Sequence, residues 1–98
     1  MIHVLMHCKV KDYSTWREGY GGLFAARQRA GERNCRIFHD SDHPDELFLL
    51  LEWESKKDAQ AFFASEQWTS SLRKSGVKET PLPVFLDEAR ALHLTQAD

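Results

Sequence analysis

Leu47-Phe48-Leu49-Leu50-Leu51, followed by Glu52 and Trp53, is apolar at consecutive positions, where a strand with one wet face alternates. The run is too short for a buried helix and ends at a strong helix-start signal, so it reads as a central strand. Successive side chains of a strand point to opposite faces, so neither face of this one can meet water without exposing a row of Leu or Phe. One face can be covered by the chain's own helices. The other calls for a second copy of the protein.

The flanking segments supply the helices and the remaining strands. From Ile2 to Val10 the chain alternates, with Ile2, Val4, Met6, Cys8 and Val10 on one side and His3, Leu5, His7 and Lys9 on the other. Asp12 then stands where it can cap a helix, with Thr15 and Glu18 as an alternative capping box. Tyr13, Trp16, Tyr20, Leu23, Phe24 and Arg27 recur at spacings of three and four, which predicts one amphipathic stripe closed by Gly31. Gly19, Gly21 and Gly22 are costly inside a helix, at about 1 kcal/mol each against Ala, and imply a close approach of some other element.

A second strand is predicted over Asn34 to His39, and Asp40 to Asp45 is a turn rich in Asp with one Pro, so strands two and three form a hairpin. Ser55 with Asp58 caps the next helix, whose buried stripe is Ala59, Phe62 and Phe63. Trp68 falls out of that period. A kink near Ser65 and a short second segment carrying Trp68 and Leu72, stopped at Gly76, restore it. Pro81 to Leu86 is a fourth strand confined to an edge by its prolines. The tail from residue 89 onward carries no signal.

The order β-α-β-β-α-β predicts an α+β, ferredoxin-like fold: a four-stranded antiparallel sheet in the order 4-1-3-2 with the helices on one face. A chain of 98 residues with a formal net charge of -2 is a single domain, 1–98. Its basic residues are scattered, so no nucleic-acid or membrane partner is expected. No apolar run is long enough to cross a membrane and no signal-peptide pattern appears, which predicts a cytoplasmic protein. Cys8 and Cys35 lie on strands separated by one other, at least ~9.5 Å apart, too far for an internal disulfide.

Asp12-Tyr13-x-x-Trp16 after the first strand, Glu52-Trp53 closing the third, the Ala59/Phe62/Ser65 helix, the Ser75-Gly76-Val77 stop and the Pro83-Val84-Phe85-Leu86 end together resemble the antibiotic biosynthesis monooxygenase superfamily. The resemblance covers roughly residues 2 to 88. It implies a dimeric α+β barrel: a homodimer whose sheets face each other, with a small-molecule pocket in each subunit between sheet and helices. Members include cofactor-independent oxygenases, haem-degrading enzymes and isomerases. The haem-degrading branch carries an Asn on the first strand, a Trp on the second helix and an iron-ligating His after it. His7, Phe62 and Leu72 stand near those positions here, so no cofactor is expected and haem is disfavoured, unless His3, His7 or His39 ligates iron from the sheet.

Candidate chemistry rests on polar groups that interrupt apolar stripes. His7, with Glu52 on the neighbouring strand, can form a carboxylate-oriented imidazole suited to general base work, or a purely structural pair. Arg27 ends the Trp16/Tyr20/Phe24 stripe and can bind a carboxylate or enolate, or reach solvent. With Tyr20 it forms the expected catalytic set of His7, Arg27 and Tyr20, and Trp16, Glu52, Phe62 and Trp68 form the substrate-binding set. The aromatics can stack on a planar substrate or simply pack. His3 and His7 are about 13 Å apart and cannot share a metal, His39 and His43 lack a third ligand, and no metal site is expected. Two functions follow. One is a cofactor-independent monooxygenase-like enzyme acting on a small aromatic or polyketide-like molecule. The other is a non-catalytic small-molecule-binding or accessory dimeric module.

Overall fold

A computed structural model of the chain describes residues 1–92. Its elements are β1 (Ile2–Lys9), α1 (Tyr13–Gly21), α2 (Phe24–Ala30), β2 (Glu32–His39), β3 (Glu46–Trp53), α3 (Lys56–Phe63), α4 (Glu66–Lys74) and β4 (Val84–Leu86). The sheet order is β2-β3-β1-β4 with every pairing antiparallel, the predicted topology. His93, in the predicted tail, lies outside the described residues.

The apolar run is the axis of the core. Leu47, Leu49, Leu51 and Trp53 of β3 are all fully buried beneath the helices, beside Val4, Met6 and Cys8 of β1. Phe48 and Leu50 point to the other face and are half-buried. Among the described residues no helix covers that face. Leu5, Phe38, Val84 and Leu86 share it and are exposed, and registry aligns Leu5 with Leu50 and Val84, and Phe38 with Phe48.

Helix ends fall where the caps predicted them. Asp12 accepts from the Thr15 N–H at 2.8 Å, Ser55 from the Asp58 N–H at 3.1 Å and Ser65 from the Trp68 N–H at 3.2 Å. The last of these is the predicted kink: Ser65 follows the end of α3 and caps α4. The stripe from Tyr13 to Arg27, expected as one helix, is two. The Gly22 N–H bonds the Glu18 carbonyl and the Leu23 N–H bonds Tyr20, closing α1 with a tightened turn before α2 begins. β2 begins at Glu32 rather than Asn34, with a register irregularity between the two residues. Only Val84–Leu86 pairs at the fourth strand, because Pro81 and Pro83 have no N–H to give to a ladder.

Gly19 accounts for one glycine of the first helix. A side chain there meets Ser75 at the end of α4, whose Cβ lies 3.0 Å from the position a Gly19 Cβ takes and whose hydroxyl is closer still. Ser75 is buried and its hydroxyl donates to the Ser71 carbonyl at 2.6 Å, so it has nowhere to swing. Gly19→Ala gains about 1 kcal/mol of helix propensity but overpacks this crossing, which costs about 1–3 kcal/mol. Chemical denaturation of Gly19→Ala is therefore expected to show a lowered midpoint. In a Ser75→Gly background the same substitution becomes neutral or stabilising, the signature of direct contact in a double-mutant cycle.

Candidate functional site

The sheet separates the expected catalytic set into two places. β1 turns His7 to the helix-free face, where its ring stacks on Phe48 with centroids 4.5 Å apart. Its Nε2 lies 3.0 Å from Glu46 Oε1. The expected partner Glu52 is instead opposite His3, at 3.6 Å. The reason is register: β1 and β3 pair so that His3 meets Glu52 and His7 meets Phe48, leaving Glu46 as the diagonal neighbour. His7 and Glu52 thus share no pocket with Arg27 and Tyr20, which lie on the helix side.

Arg27 neither reaches solvent nor offers a free fork. It is buried, its Nη1 pairs with Glu32 Oε2, its Nη2 donates to the Tyr20 carbonyl at 3.3 Å, and its guanidinium lies 3.9 Å from the Tyr20 ring centroid. The Tyr20 hydroxyl donates to Glu32 Oε1 at 3.3 Å and accepts from the Cys35 thiol at 3.7 Å. Burial pushes the Glu32 carboxyl up, against the opposing pull of Arg27 and the Tyr20 hydroxyl. Burial also raises the Tyr20 phenol, with the Glu32 charge adding to it, and raises the Cys35 thiol. Cys8, sealed in the core, is pushed up to about 12 by its burial. Neither thiol is poised as a nucleophile.

Glu32 is the member of this cluster that sequence reading missed. It sits directly after Gly31, whose φ of 132° turns the chain out of α2, and the irregularity at Glu32/Asn34 leaves it buried on the helix side. The signal was the buried stripe position of Arg27 five residues earlier, which demanded an anion.

Of the expected substrate-binding aromatics, Trp16 and Phe62 are buried core residues in the same cluster as Tyr20. Trp16 stacks on Tyr20 at 4.9 Å, Tyr20 meets Trp68 edge-on at 6.3 Å, and Phe62 contacts both Trp53 and Trp68. Their rings are filled against one another rather than against a void. The third, Trp68, borders a cavity of about 290 Å³ between α3, α4 and the segment leading into β4. Phe63, Leu72, Leu82 and Phe85 line it too, and Gln60, Thr69 and Thr80 are its polar members. Among the described residues no titratable side chain lines it. His7 reaches the same segment from the other side, bordering a cavity of about 250 Å³ that shares Thr80, Pro81 and Leu82 with the first.

The apolar cavity offers no imidazole, thiolate, thioether or phenolate to an iron atom, so its residues do not fit haem ligation. Among the described residues no three His, Cys, Asp or Glu side chains gather as a metal site, and no helix is long and apolar enough to cross a membrane.

Solved structures of antibiotic biosynthesis monooxygenases have this fold. One superposes with a TM-score of 0.69 at 18% identity, covering 92% of this chain and 100% of its own. A Bordetella bronchiseptica protein of the same description gives 0.75 at 15%, over 91% and 97%. SnoaB of Streptomyces nogalater, a cofactor-independent oxygenase solved as a mutant, gives 0.72 at 9%, over 93% and 95%. The chain thus has the architecture of the antibiotic biosynthesis monooxygenase structures. No family model matches it. In sequence it is 27% identical over 78 residues to rrnAC3100 of Haloarcula marismortui, a protein named for heme binding; the match takes in 78% of this chain and spans 11% of that protein.

The ion pair at the heart of the polar cluster tests whether the cluster is structural. Removing one partner strands a buried charge, at a cost of about 3–5 kcal/mol, whereas replacing both with apolar residues is often neutral. Arg27→Met is expected to lower the denaturation midpoint sharply, and Arg27→Met with Glu32→Leu to restore most of it. A double variant no more stable than the single one contradicts the pairing.

Proposed function

We propose that the protein binds a compact, planar, apolar small molecule in the cavity bounded by Trp68, Leu72, Leu82 and Phe85, and works as a homodimer without haem. The observation that carries the binding reading is the lining: large apolar surfaces, three uncharged polar groups for orientation, and no titratable side chain among the described residues. Leu72 stands near where the haem-degrading branch places its iron ligand, which supports a haem-free pocket.

The dimer reading rests on the uncovered sheet face. Leu5, Phe38, Phe48, Leu50, Val84 and Leu86 lie together on it, an apolar surface of the kind that a second sheet covers. A standard interface needs ~800 Å² per subunit. Light scattering at micromolar concentration is expected to give twice the 11.4 kDa of one chain, and Leu50→Lys to shift the protein to monomer. A mass of one chain at every concentration overturns the dimer.

Binding is tested with 1-naphthol, followed by tryptophan fluorescence. Ala64→Trp, a substitution at an exposed lining position, is expected to weaken binding by at least about tenfold, or 1.4 kcal/mol, with the thermal midpoint little changed. Unchanged affinity in that variant sends the ligand elsewhere.

A second reading places chemistry at the neighbouring cavity that His7 borders: cofactor-independent oxygenation of an activated phenol or enol. The His7 imidazole in the wall of that cavity supports it, as does the similarity to SnoaB. In this reading a base removes the substrate proton, the carbanion passes electrons to dioxygen, one oxygen atom enters the product as a carbonyl and the other leaves as water. Arg27 and Tyr20, on the other side of the sheet, take no part in it. Oxygen uptake matching product formation, lost in His7→Ala, supports this reading; binding without uptake leaves the module non-catalytic.

A further inference from the structure

The geometry points to a second ligand site, at the junction of α2 and β2, that takes a compact organic carboxylate. A cavity of about 280 Å³ opens there, with Phe24, Arg27, Gln28, Glu32, Arg33 and Asn34 in its lining. It shares no residue with the apolar cavity at Trp68.

The donors and acceptors around it are unequally used. Its one carboxylate, Glu32, has both oxygens engaged, Oε1 by Tyr20 and Oε2 by Arg27. Its donors are not exhausted. Arg33 gives Nε to Glu54 at 2.8 Å and Nη1 to the carbonyls of Gln28 and Glu32 at 2.8 and 3.1 Å, so the guanidinium is held while Nη2 has no partner among the described residues. Asn34 is oriented the same way: its Oδ1 accepts from the Cys35 N–H at 2.9 Å, which leaves the side-chain Nδ2 without an acceptor among the described residues. The Gln28 amide on α2 is likewise unpaired among them.

A pocket whose carboxylate is engaged while an N–H of the Arg33 guanidinium and of the Asn34 amide stay free is complementary to an acceptor, and the Gln28 amide, able to donate or accept, can turn to join them. The guanidinium, fixed by three bonds before any ligand arrives, incurs little ordering cost and matches a carboxylate better than a neutral carbonyl. Net charge alone does not set this preference, because Arg27 and Arg33 are balanced by Glu32 and Glu54. Phe24 is 62% exposed, an unusually open aromatic ring that gives the ligand an apolar body to pack on. The ligand is therefore a carboxylate on a small ring or short branched chain, the size being set by the cavity.

The test uses the full chain, benzoate and its neutral isostere benzamide, with backbone amide shifts as the readout. Benzoate is expected to give saturable shifts in residues 24 to 35, benzamide to bind about tenfold more weakly or not at all, and added salt to weaken benzoate alone. Arg33→Gln is expected to cut benzoate affinity by about tenfold while leaving 1-naphthol binding unchanged, and Gln28→Ala to weaken it less. Should Arg33→Gln fail to fold, the benzoate/benzamide ratio in the wild-type chain decides. Equal binding of the two compounds, absence of saturation, or shifts centred on Trp68 and Phe85 overturns the site.

Discussion

Every element of this molecule answers to the impossibility of exposing either face of β3. Leu47, Leu49, Leu51 and Trp53 require a roof, and the helices pack on that side. Phe48 and Leu50 require a floor, which the described residues do not contain. A domain of 98 residues buries only about 60–70% of the surface its unfolded form exposes, so it has few spare apolar groups with which to roof both faces by itself. The proposed homodimer covers that face with its own copy. Because β1 and β3 share the uncovered face, His3 and His7 are placed by the same constraint that places Phe48 and Leu50.

The polar cluster beneath α1 and α2 follows a different logic. Arg27 is carried inward by the helical period of an apolar stripe, and a buried guanidinium is tolerable only with an anion and further acceptors around it. Glu32, the Tyr20 carbonyl and the Tyr20 ring supply these. The arrangement engages the polar groups of Arg27 and Tyr20 within the framework, and the cavity of the proposed ligand lies apart from them, beside Trp68. The remaining donors of this region, on Arg33 and Asn34, lie one step outward, where the described residues supply no partner.

Fold and topology were legible because they rest on local signals that agree: alternation in β1, the two-sided run in β3, the caps at Asp12 and Ser55, the broken period near Ser65, and the prolines before β4. The site was less so. Which carboxylate meets His7 depends on the register between β1 and β3, strands joined through two helices and another strand, and no local pattern sets it. Glu32 sits in Glu-Arg-Asn, a triplet that reads as a polar turn until the irregularity at Asn34 is known. The break between α1 and α2 was hinted at by Gly21 and Gly22; across it Leu23 and Arg27 stay buried, while Phe24, expected on the same stripe, is turned out to the surface. Whether aromatics pack or line a void is a matter of volume, and periodicity carries no information about volume.

Tyr20, Arg27, Glu32 and Cys35 fall within one short stretch of chain, whereas the β1–β3 pairing joins residues as far apart as Ile2 and Trp53. Closing the short loop costs little chain entropy and closing the long one costs more, so the order of assembly is biased. The Arg27–Glu32 pair can form while still hydrated, as an ordinary solvent-screened attraction, and only later be carried out of water when β3 docks. The penalty for dehydrating the two charges then falls on the step that also buries the Leu47–Trp53 run, the one event in folding with enough apolar surface to offset it.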